Sequence, residues 1–140
     1  MNEQQNLKTV EQIYENFLKG NLPGILNSFS EDIVWKQPPH GPAPLAGTFS
    51  GKKEVTDFFM KMNEALEILS FESRKIIAHE NLVIAICYYQ ARSKTTGKQW
   101  ETDFVEVWKL ENNKVVEFQI FKDSAAELLA FQPEIIDKVI

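Results

Sequence analysis

The spacing of apolar residues changes near residue 70, and this change constrains the fold more than any other feature of the sequence. Before it, large apolar residues recur at i, i+3, i+4, i+7 and i+8, the spacing of one helix face. The first such stripe comprises Val10, Ile13, Tyr14, Phe17 and Leu18. After it, β-branched and aromatic residues form runs of strand length separated by turn sequences. A chain with this order is expected to pack helices against a sheet.

Three helices are predicted in the first half. Gly20 is expected to cap the first helix at its C-terminus. A short second helix fits "LPGILNSF", with Ile25, Leu26 and Phe29 facing inward. A third helix is predicted over residues 52–69 from a second amphipathic stripe. That stripe comprises Val55, Phe58, Phe59, Met62, Leu66 and Leu69.

The second half predicts a four-stranded antiparallel meander, preceded by one early strand at "DIVWKQ". Its strands are "FESRKIIAH", "LVIAICYYQARS", "WETDFVEVWKL" and "KVVEFQIF". The short turns "ENL", "KTTGKQ" and "ENNK" join them as hairpins. A final helix begins in "DSAAELLAF", where Ser124 and Glu127 have the spacing of a capping box. We expect one α+β domain over residues 1–140, with three N-terminal helices packed on a curved antiparallel sheet and a short C-terminal helix.

The strand "WETDFVEVWKL" is apolar on both faces. Trp100, Phe104 and Trp108 share one face, and Asp103, Val105 and Val107 share the other. An antiparallel sheet with one solvated face should alternate apolar with polar residues, so both faces are expected to be covered. The helices cover one face and a second copy of the chain is the simplest cover for the other. The sequence therefore predicts a homodimer, with Trp100, Phe104 and Trp108 as contact candidates.

Composition limits the partners. The net charge is −5 and no cluster of Lys or Arg occurs, which speaks against nucleic acid and anionic membranes. No signal-type or membrane-spanning apolar segment is visible, and the single Cys87 lies in an apolar run, so a reducing, cytoplasmic location is expected. The two histidines have no metal-ligand spacing and no glycine-rich phosphate loop is present. Neither a metal nor a cofactor is predicted.

The segment "EDIVWKQPPHGPAPLAGTFSG", residues 31–51, holds four of the six prolines and three of the six glycines. Prolines stiffen a loop at low entropic cost. Trp35, His40 and Leu45 could therefore present fixed contacts to a ligand. The alternative is a plain connector whose Trp35 belongs to the core. The sequence leaves both interpretations open.

Several motifs, in their order, resemble a known family. "YENFLKGNLPGILNSFSEDIVWKQP", then "GTFSGKKEVTDFF", then "TTGKQWETDFVEVWKLENNKVVEFQIFKDSAA" are similar to the SnoaL-like, ketosteroid-isomerase-related branch of the nuclear transport factor 2-like superfamily. The resemblance covers about residues 10–130. It implies a conical domain that encloses an apolar cavity, with the proline segment near its mouth. The fold hosts isomerases, cyclases, dehydratases, epoxide hydrolases and non-catalytic binding modules.

The resemblance also implies roles for single residues. Ketosteroid isomerases use an Asp base with a Tyr and a protonated Asp as oxyanion donors. Asp103 aligns with the protonated Asp, Gln37 with the base, and Ile13 with the Tyr, while Tyr14 is one residue off. Because an amide such as Gln37 does not take up a proton near neutral pH, a true ketosteroid isomerase is not expected. The epoxide hydrolases of the superfamily need charged groups where this chain has Cys87 and Tyr89.

Three further candidates carry alternatives. Asp103, on an apolar face, would have a raised pKa and could donate to a ligand oxygen, or it could pair with a nearby cation. Asp123 aligns near the acid/base Asp of the polyketide cyclases, or it belongs to the N-cap of the last helix. His40 is a base at the cavity mouth or a solvated loop residue. Catalysis requires two of these groups together, Asp103 with Asp123 or His40.

The expected cavity is mostly apolar, with two polar points. Its predicted lining is Tyr14, Phe17, Trp35, Phe59, Met62, Val105 and Phe118, with Gln37 and Asp103 as the polar groups. We expect a cofactor-free enzyme of isomerase, cyclase or lyase type that acts by proton transfer on a small apolar carbonyl compound. The alternative is a dimeric module that binds an apolar ligand or a protein partner without catalysis.

Overall fold

The computed structural model describes residues 2–133 and shows an open, curved six-stranded sheet with helices against its inner face. The elements are α1 (Glu3–Lys19), α2 (Leu22–Asn27), β1 (Phe29–Lys36), β2 (Thr48–Ser50), α3 (Lys52–Ala65), β3 (Leu66–His79), β4 (Leu82–Ser93), β5 (Gln99–Glu111), β6 (Lys114–Lys122) and α4 (Ser124–Phe131). The predicted α+β class, with N-terminal helices and a short C-terminal helix, is confirmed.

The strands are ordered β2-β1-β6-β5-β4-β3. The predicted meander of β3 to β6 is antiparallel throughout. The early strand β1 pairs in parallel with β6, so the sheet is not purely antiparallel as predicted. This parallel pairing needs a long crossover, which α3 and the meander supply. The short β2, which was not predicted, adds an antiparallel edge next to β1.

The first helix begins and ends where its sequence signals stand. The Asn2 side chain accepts a hydrogen bond from the Gln5 amide at the N-terminus. Gly20 takes a left-handed conformation with φ of 71° and donates its N–H to the Phe17 carbonyl, as the predicted C-cap requires. Leu18, however, is 62% exposed, so its inclusion in the buried stripe was wrong.

The third helix is four residues shorter than predicted. It ends at Ala65, and Leu66 already has the extended backbone of β3, where it pairs with Ser93 of β4. Leu66 and Leu69 continue the helical spacing by coincidence, because Leu66 and Ile68 also satisfy the period of a strand. The neighbouring β4 supplies backbone partners to these residues, and this tertiary pairing decides the outcome. Register shifts within β3 introduce bulges that bend the sheet.

The aromatic residues of β5 face the helices. Trp100, Phe104 and Trp108 are buried in the core, so the prediction that they form a dimer contact is wrong. Around them lies an aromatic cluster in which Trp35 stacks on Phe118 with ring centroids 3.7 Å apart. The inner face is therefore the even-numbered face of β5, the opposite of the assignment made from the sequence.

Residues 37–47 of the proline segment form a closed loop between β1 and β2. The backbone N–H of Gln37 donates to the Gly47 carbonyl, and the backbone N–H of Gly47 donates to the Pro38 carbonyl. This closure buries Leu45 beside the core. The segment therefore connects two parts of the domain and also contributes Trp35, Gln37 and Leu45 to a cavity wall.

In the part of the chain that the structure describes, no helix combines the length and apolar character needed to cross a lipid bilayer.

Candidate functional site

A cavity of about 90 Å³ lies between the inner face of the sheet and helices α1 and α3. It is lined by Ile13, Tyr14, Phe17, Ile25, Trp35, Gln37, Leu45, Phe58, Phe59, Met62, Leu66, Ile68, Phe71, Tyr89, Phe104, Glu106, Trp108, Phe118, Ile120, Lys122 and Glu127. The wall is mainly apolar and aromatic, and its three charged groups converge from β5, β6 and α4.

Most of the apolar lining lies where the sequence placed it. Tyr14, Phe17, Trp35, Gln37, Phe59, Met62 and Phe118 all line the cavity. Ile13 and Tyr14 both reach it, although they are neighbours on α1. Val105 does not, because it lies on the opposite face of β5 from Phe104 and Glu106.

Asp103 lies on the outer face of the sheet, contrary to the prediction. Its carboxylate is 77% exposed and accepts a hydrogen bond of 2.9 Å from Arg74 Nη1. The side chains of a strand alternate between faces, so Asp103 points away from the cavity that Phe104 lines. The assignment of Asp103 as a polar group of the cavity is therefore wrong. Of the alternatives that the sequence left open, the structure shows the pairing with a cation.

Asp123 and His40 also lie outside the cavity lining. The Asp123 side chain accepts a hydrogen bond of 3.0 Å from the Ala126 amide and is the N-cap of α4. This places the cap one residue before the predicted Ser124. His40 is an exposed residue in the turn of the proline segment. The structure thus brings none of the three predicted catalytic residues together.

A buried polar network takes their place. The Tyr14 hydroxyl donates a hydrogen bond of 2.7 Å to Glu106 Oε1 and accepts one of 3.0 Å from Trp108 Nε1. Glu106 and Trp108 follow each other on the inner face of β5, and α1 brings Tyr14 over them. The network fixes the position of one carboxylate oxygen within an otherwise apolar wall.

Burial sets the charge state of these groups. Desolvation raises the pKa of Glu106 to about 7, although the Tyr14 hydrogen bond and the charge of Lys122 both act to lower it. Burial, together with the nearby Glu106 carboxylate, raises the pKa of Tyr14 well above its ordinary value. Tyr14 therefore stays protonated and donates, while Glu106 exists in both forms near neutral pH. A carboxyl group with this pKa can take up and return a proton.

A second charged group is an ion pair. Lys122 Nζ lies 2.9 Å from Glu127 Oε1, and the two side chains are only 8% and 2% exposed. Lys122 is the last residue of β6 and Glu127 lies on α4, so the pair fastens this helix to the sheet. An ammonium group has three N–H donors. Since Glu127 takes one of these donors, Lys122 Nζ keeps N–H groups that can donate to a ligand in the cavity.

Two polar atoms of the wall lack partners. Within residues 2–133, Trp35 Nε1 and Gln37 Oε1 are buried without a hydrogen bond to another group of the protein. Trp35 is 4% exposed and Gln37 is 8% exposed, and both line the cavity. A buried polar atom without a partner is costly, so these two atoms mark a place for a polar group of a ligand or a water molecule.

Glu106, Lys122 and Glu127 were not among the site residues predicted from the sequence. The signal for Glu106 was present, because it is the only charged residue among the bulky even-numbered positions of β5, between Phe104 and Trp108. The alignment that favoured Asp103 led to the opposite strand face. Lys122 and Glu127 gave no such signal, since their pairing depends on how α4 turns back onto the sheet.

Within the described residues, no group of three or more His, Cys, Asp or Glu side chains is arranged to hold a metal ion. The buried thiol of Cys87 lies near the network, and burial raises its pKa to about 12, which keeps it protonated. The chemistry available to the site is therefore that of a carboxyl group, an ammonium group and neutral hydrogen-bond donors and acceptors.

The chain is similar to known proteins in sequence and in fold. The sequence profile of the SnoaL-like domain matches residues 10–118. No curated protein matches the chain at a significant level. Among solved structures, an NTF2-like protein from Burkholderia xenovorans is 28% identical with a TM-score of 0.85, and covers 94% of this chain and 99% of its own.

Two other structures are similar. An NTF2-like protein of unknown function from Burkholderia pseudomallei is 26% identical over 91% of this chain and 98% of its own, with a TM-score of 0.81. A candidate isomerase from Bacillus subtilis is 19% identical over 94% of this chain and 96% of its own, with a TM-score of 0.79. At that lower identity the likeness concerns the fold alone. The predicted resemblance to the nuclear transport factor 2-like superfamily is confirmed.

Proposed function

The chain belongs to the SnoaL-like domain family, and from this premise we propose that its cavity binds a small, mainly apolar ketone and moves a proton on the carbon beside the carbonyl. The observation that carries this proposal is Glu106, a carboxyl group buried in an apolar wall with a pKa of about 7. The reaction class is isomerisation, cyclisation or elimination through an enolate. These reactions share the same first proton transfer.

Glu106 is the general base. Its carboxylate takes the proton from the α-carbon, the C–H electron pair forms the C=C bond of the enolate, and the carbonyl π electrons move onto oxygen. Tyr14 holds Oε1 at 2.7 Å, so we assign the other oxygen, Oε2, to the substrate. The protonated Glu106 then returns the proton to a carbon of the enolate, and the base is regenerated.

Lys122 is the group that stabilises the enolate oxygen. Its ammonium is almost fully buried, and its charge acts on Glu106. On the sheet, Lys122 lies opposite Phe104, and Glu106 lies opposite Ile120. The two charged residues are therefore diagonal neighbours on the same face of adjacent strands. A cation in a water-excluded wall interacts strongly with a developing negative charge.

The cavity argues against a steroid substrate. Pockets for drug-sized ligands have volumes of roughly 300–1,000 Å³. The cavity here measures about 90 Å³, which suits a much smaller molecule. Met62, whose flexible side chain lies on the wall, gives some room for adjustment. The expectation that the chain is not a true ketosteroid isomerase is therefore kept in this proposal.

The test is hydrogen–deuterium exchange at the α-carbons of cyclohexanone in D₂O, followed by NMR. We expect wild-type protein to accelerate exchange and Glu106→Gln to lose about 100-fold or more of this acceleration. Asp103→Asn is the matched control, because it makes the same change on the outer face of β5, and it should exchange like wild type. Exchange that survives in Glu106→Gln would contradict the proposal. Binding without exchange would favour the alternative, a non-catalytic ligand-binding module.

A further inference from the structure

The unpaired polar atoms of Trp35 and Gln37 restrict the ligand further. Trp35 lies on β1 and Gln37 is the first residue after that strand, two positions further on, and the side chains of both line the cavity. Their Cα atoms are about 7 Å apart at ~3.3 Å per residue. Trp35 offers an N–H donor and Gln37 offers a carbonyl acceptor, and neither is paired within the described residues.

Packing fixes the Trp35 indole before any ligand arrives. The Trp35 indole is stacked on Phe118 and also contacts Phe58 and Phe59. The Gln37 backbone is held by its hydrogen bond to Gly47 at the base of the proline segment. Reorienting the Trp35 indole to find another partner would disrupt this packing. The donor is therefore preorganised, and the acceptor extends from a backbone position that is held in place.

This pair lies beside the proposed catalytic groups. Lys36 is in register with Gln119 of β6, which places Gln37 at the level of Ile120. Ile120 in turn is opposite Glu106 on β5. Gln37 and Glu106 thus lie at one level of the sheet, two strands apart, or about 10 Å between Cα atoms at ~4.8 Å per strand. Their side chains point into the same cavity from either side of Ile120.

We propose that the ligand of this site is a hydroxy ketone, whose hydroxyl group donates to Gln37 Oε1 and accepts from Trp35 Nε1 while its carbonyl lies at Glu106 and Lys122. One hydroxyl has the donor and acceptor capacity to satisfy both atoms. The apolar wall between the two ends contacts the carbon skeleton. This inference rests on the proposed function for the carbonyl end only, since recognition of the hydroxyl depends on Trp35 and Gln37 alone.

The experiment compares three probes of related shape by ligand-observed NMR titration: cyclohexanone, 4-hydroxycyclohexanone and 4-methoxycyclohexanone. The methoxy compound can accept a hydrogen bond but cannot donate one. We expect the hydroxy ketone to bind roughly fivefold more tightly than the methoxy compound, the ratio typical of one net hydrogen bond, and at least roughly fivefold more tightly than cyclohexanone, which makes neither bond. Equal affinities would overturn the inference and would mean that a bound water molecule satisfies the two atoms.

Variants assign the preference to the two side chains. Gln37→Leu should remove the advantage of the hydroxy ketone over cyclohexanone. Trp35→Phe keeps an aromatic ring on Phe118 but lacks the N–H, and should reduce the advantage. Gln119→Leu is the control, because it is the same substitution on the outer face of β6, and this variant should retain the preference for the hydroxy ketone. A preference that persists in Gln37→Leu contradicts the assignment.

The outcomes separate this inference from the proposed function. A hydroxyl preference without α-proton exchange supports hydroxy-ketone recognition and contradicts catalysis. Exchange of all three ketones with equal affinity supports catalysis and overturns the hydroxyl inference. If none of the three binds, both are overturned.

Discussion

The Tyr14 hydroxyl lies 2.7 Å from Glu106 Oε1, although the two residues are 92 positions apart in the sequence. This hydrogen bond joins the first helix to the central strand of the sheet and places a carboxyl group of raised pKa in an apolar cavity.

The rate of exchange should depend on pH through Glu106. Since the base form is the carboxylate, the rate constant for the bound ketone should rise with pH and level off above about pH 7, the pKa of Glu106. The measurement is a pH profile of the exchange rate at saturating cyclohexanone. A profile that levels off near pH 4.5, the ordinary value for Glu, would assign the base to another carboxylate.

Stability should also depend on pH through the same residue. The folded protein binds the Glu106 proton up to about pH 7, whereas the unfolded chain releases it near pH 4.5. The free energy of unfolding should therefore fall as pH rises from about 4.5 to 7, by at most about 3 kcal/mol. Urea titrations across this range should show that Glu106→Gln lacks this fall. An equal fall in Asp103→Asn and Glu106→Gln would mean that other groups cause it.

Tyr14→Phe should affect both the carboxyl group and the fold. The loss of the hydroxyl removes a hydrogen bond that lowers the pKa of Glu106 and leaves Trp108 Nε1 without its acceptor. We expect the free energy of unfolding to fall by about 1–3 kcal/mol and the pH profile of exchange to shift to higher pH. Tyr88→Phe, which removes an exposed hydroxyl bonded to Glu101, is the control and should change neither. An unshifted profile in Tyr14→Phe would contradict the role of this bond.

The buried ion pair should respond differently to single and double substitution. Lys122→Met leaves the Glu127 carboxylate buried without its partner, and we expect a loss of about 3–5 kcal/mol in the free energy of unfolding. Adding Glu127→Leu should restore most of it. Lys36→Met, at a half-exposed pair with Glu117, should cost at most about 1 kcal/mol. Equal losses at the two lysines would show that burial of the pair has no energetic consequence.

We propose that the homodimer expected from the sequence forms on the outer face of the sheet. Ile86, Val105 and Phe121 are in register on three adjacent strands, and Ile86 and Phe121 are 40% and 53% exposed. Phe121→Lys should convert a dimer to a monomer in sedimentation velocity, because a charge would replace the most exposed member of this row. Leu18→Lys, at a residue 62% exposed on α1, should leave the dimer intact. Wild-type protein that sediments as a monomer at micromolar concentration would contradict the proposal.

The sequence by itself determined the elements. Periodicity, Gly20 and the short turns are local signals, and they placed α1, α4 and strands β4 to β6 close to their observed positions, whereas β3 begins five residues before its predicted run, which starts at Phe71. The order of the motifs along the chain was sufficient to identify the family. Where local signals were ambiguous, as from Leu66 to Leu69, pairing with β4 decided between helix and strand.

Tertiary structure alone decided which face of β5 is inside. The sequence shows only that Asp103 and Glu106 lie on opposite faces; the helices cover the face with the larger aromatic residues, because burying Phe104 and Trp108 removes the most apolar surface from water. That choice carries Glu106 into the cavity and leaves Asp103 with Arg74 in solvent. The pairing of Lys122 with Glu127 likewise depends on the direction of α4 after the sheet ends. A functional site assembled from residues distant in sequence is set by packing, which no local pattern records.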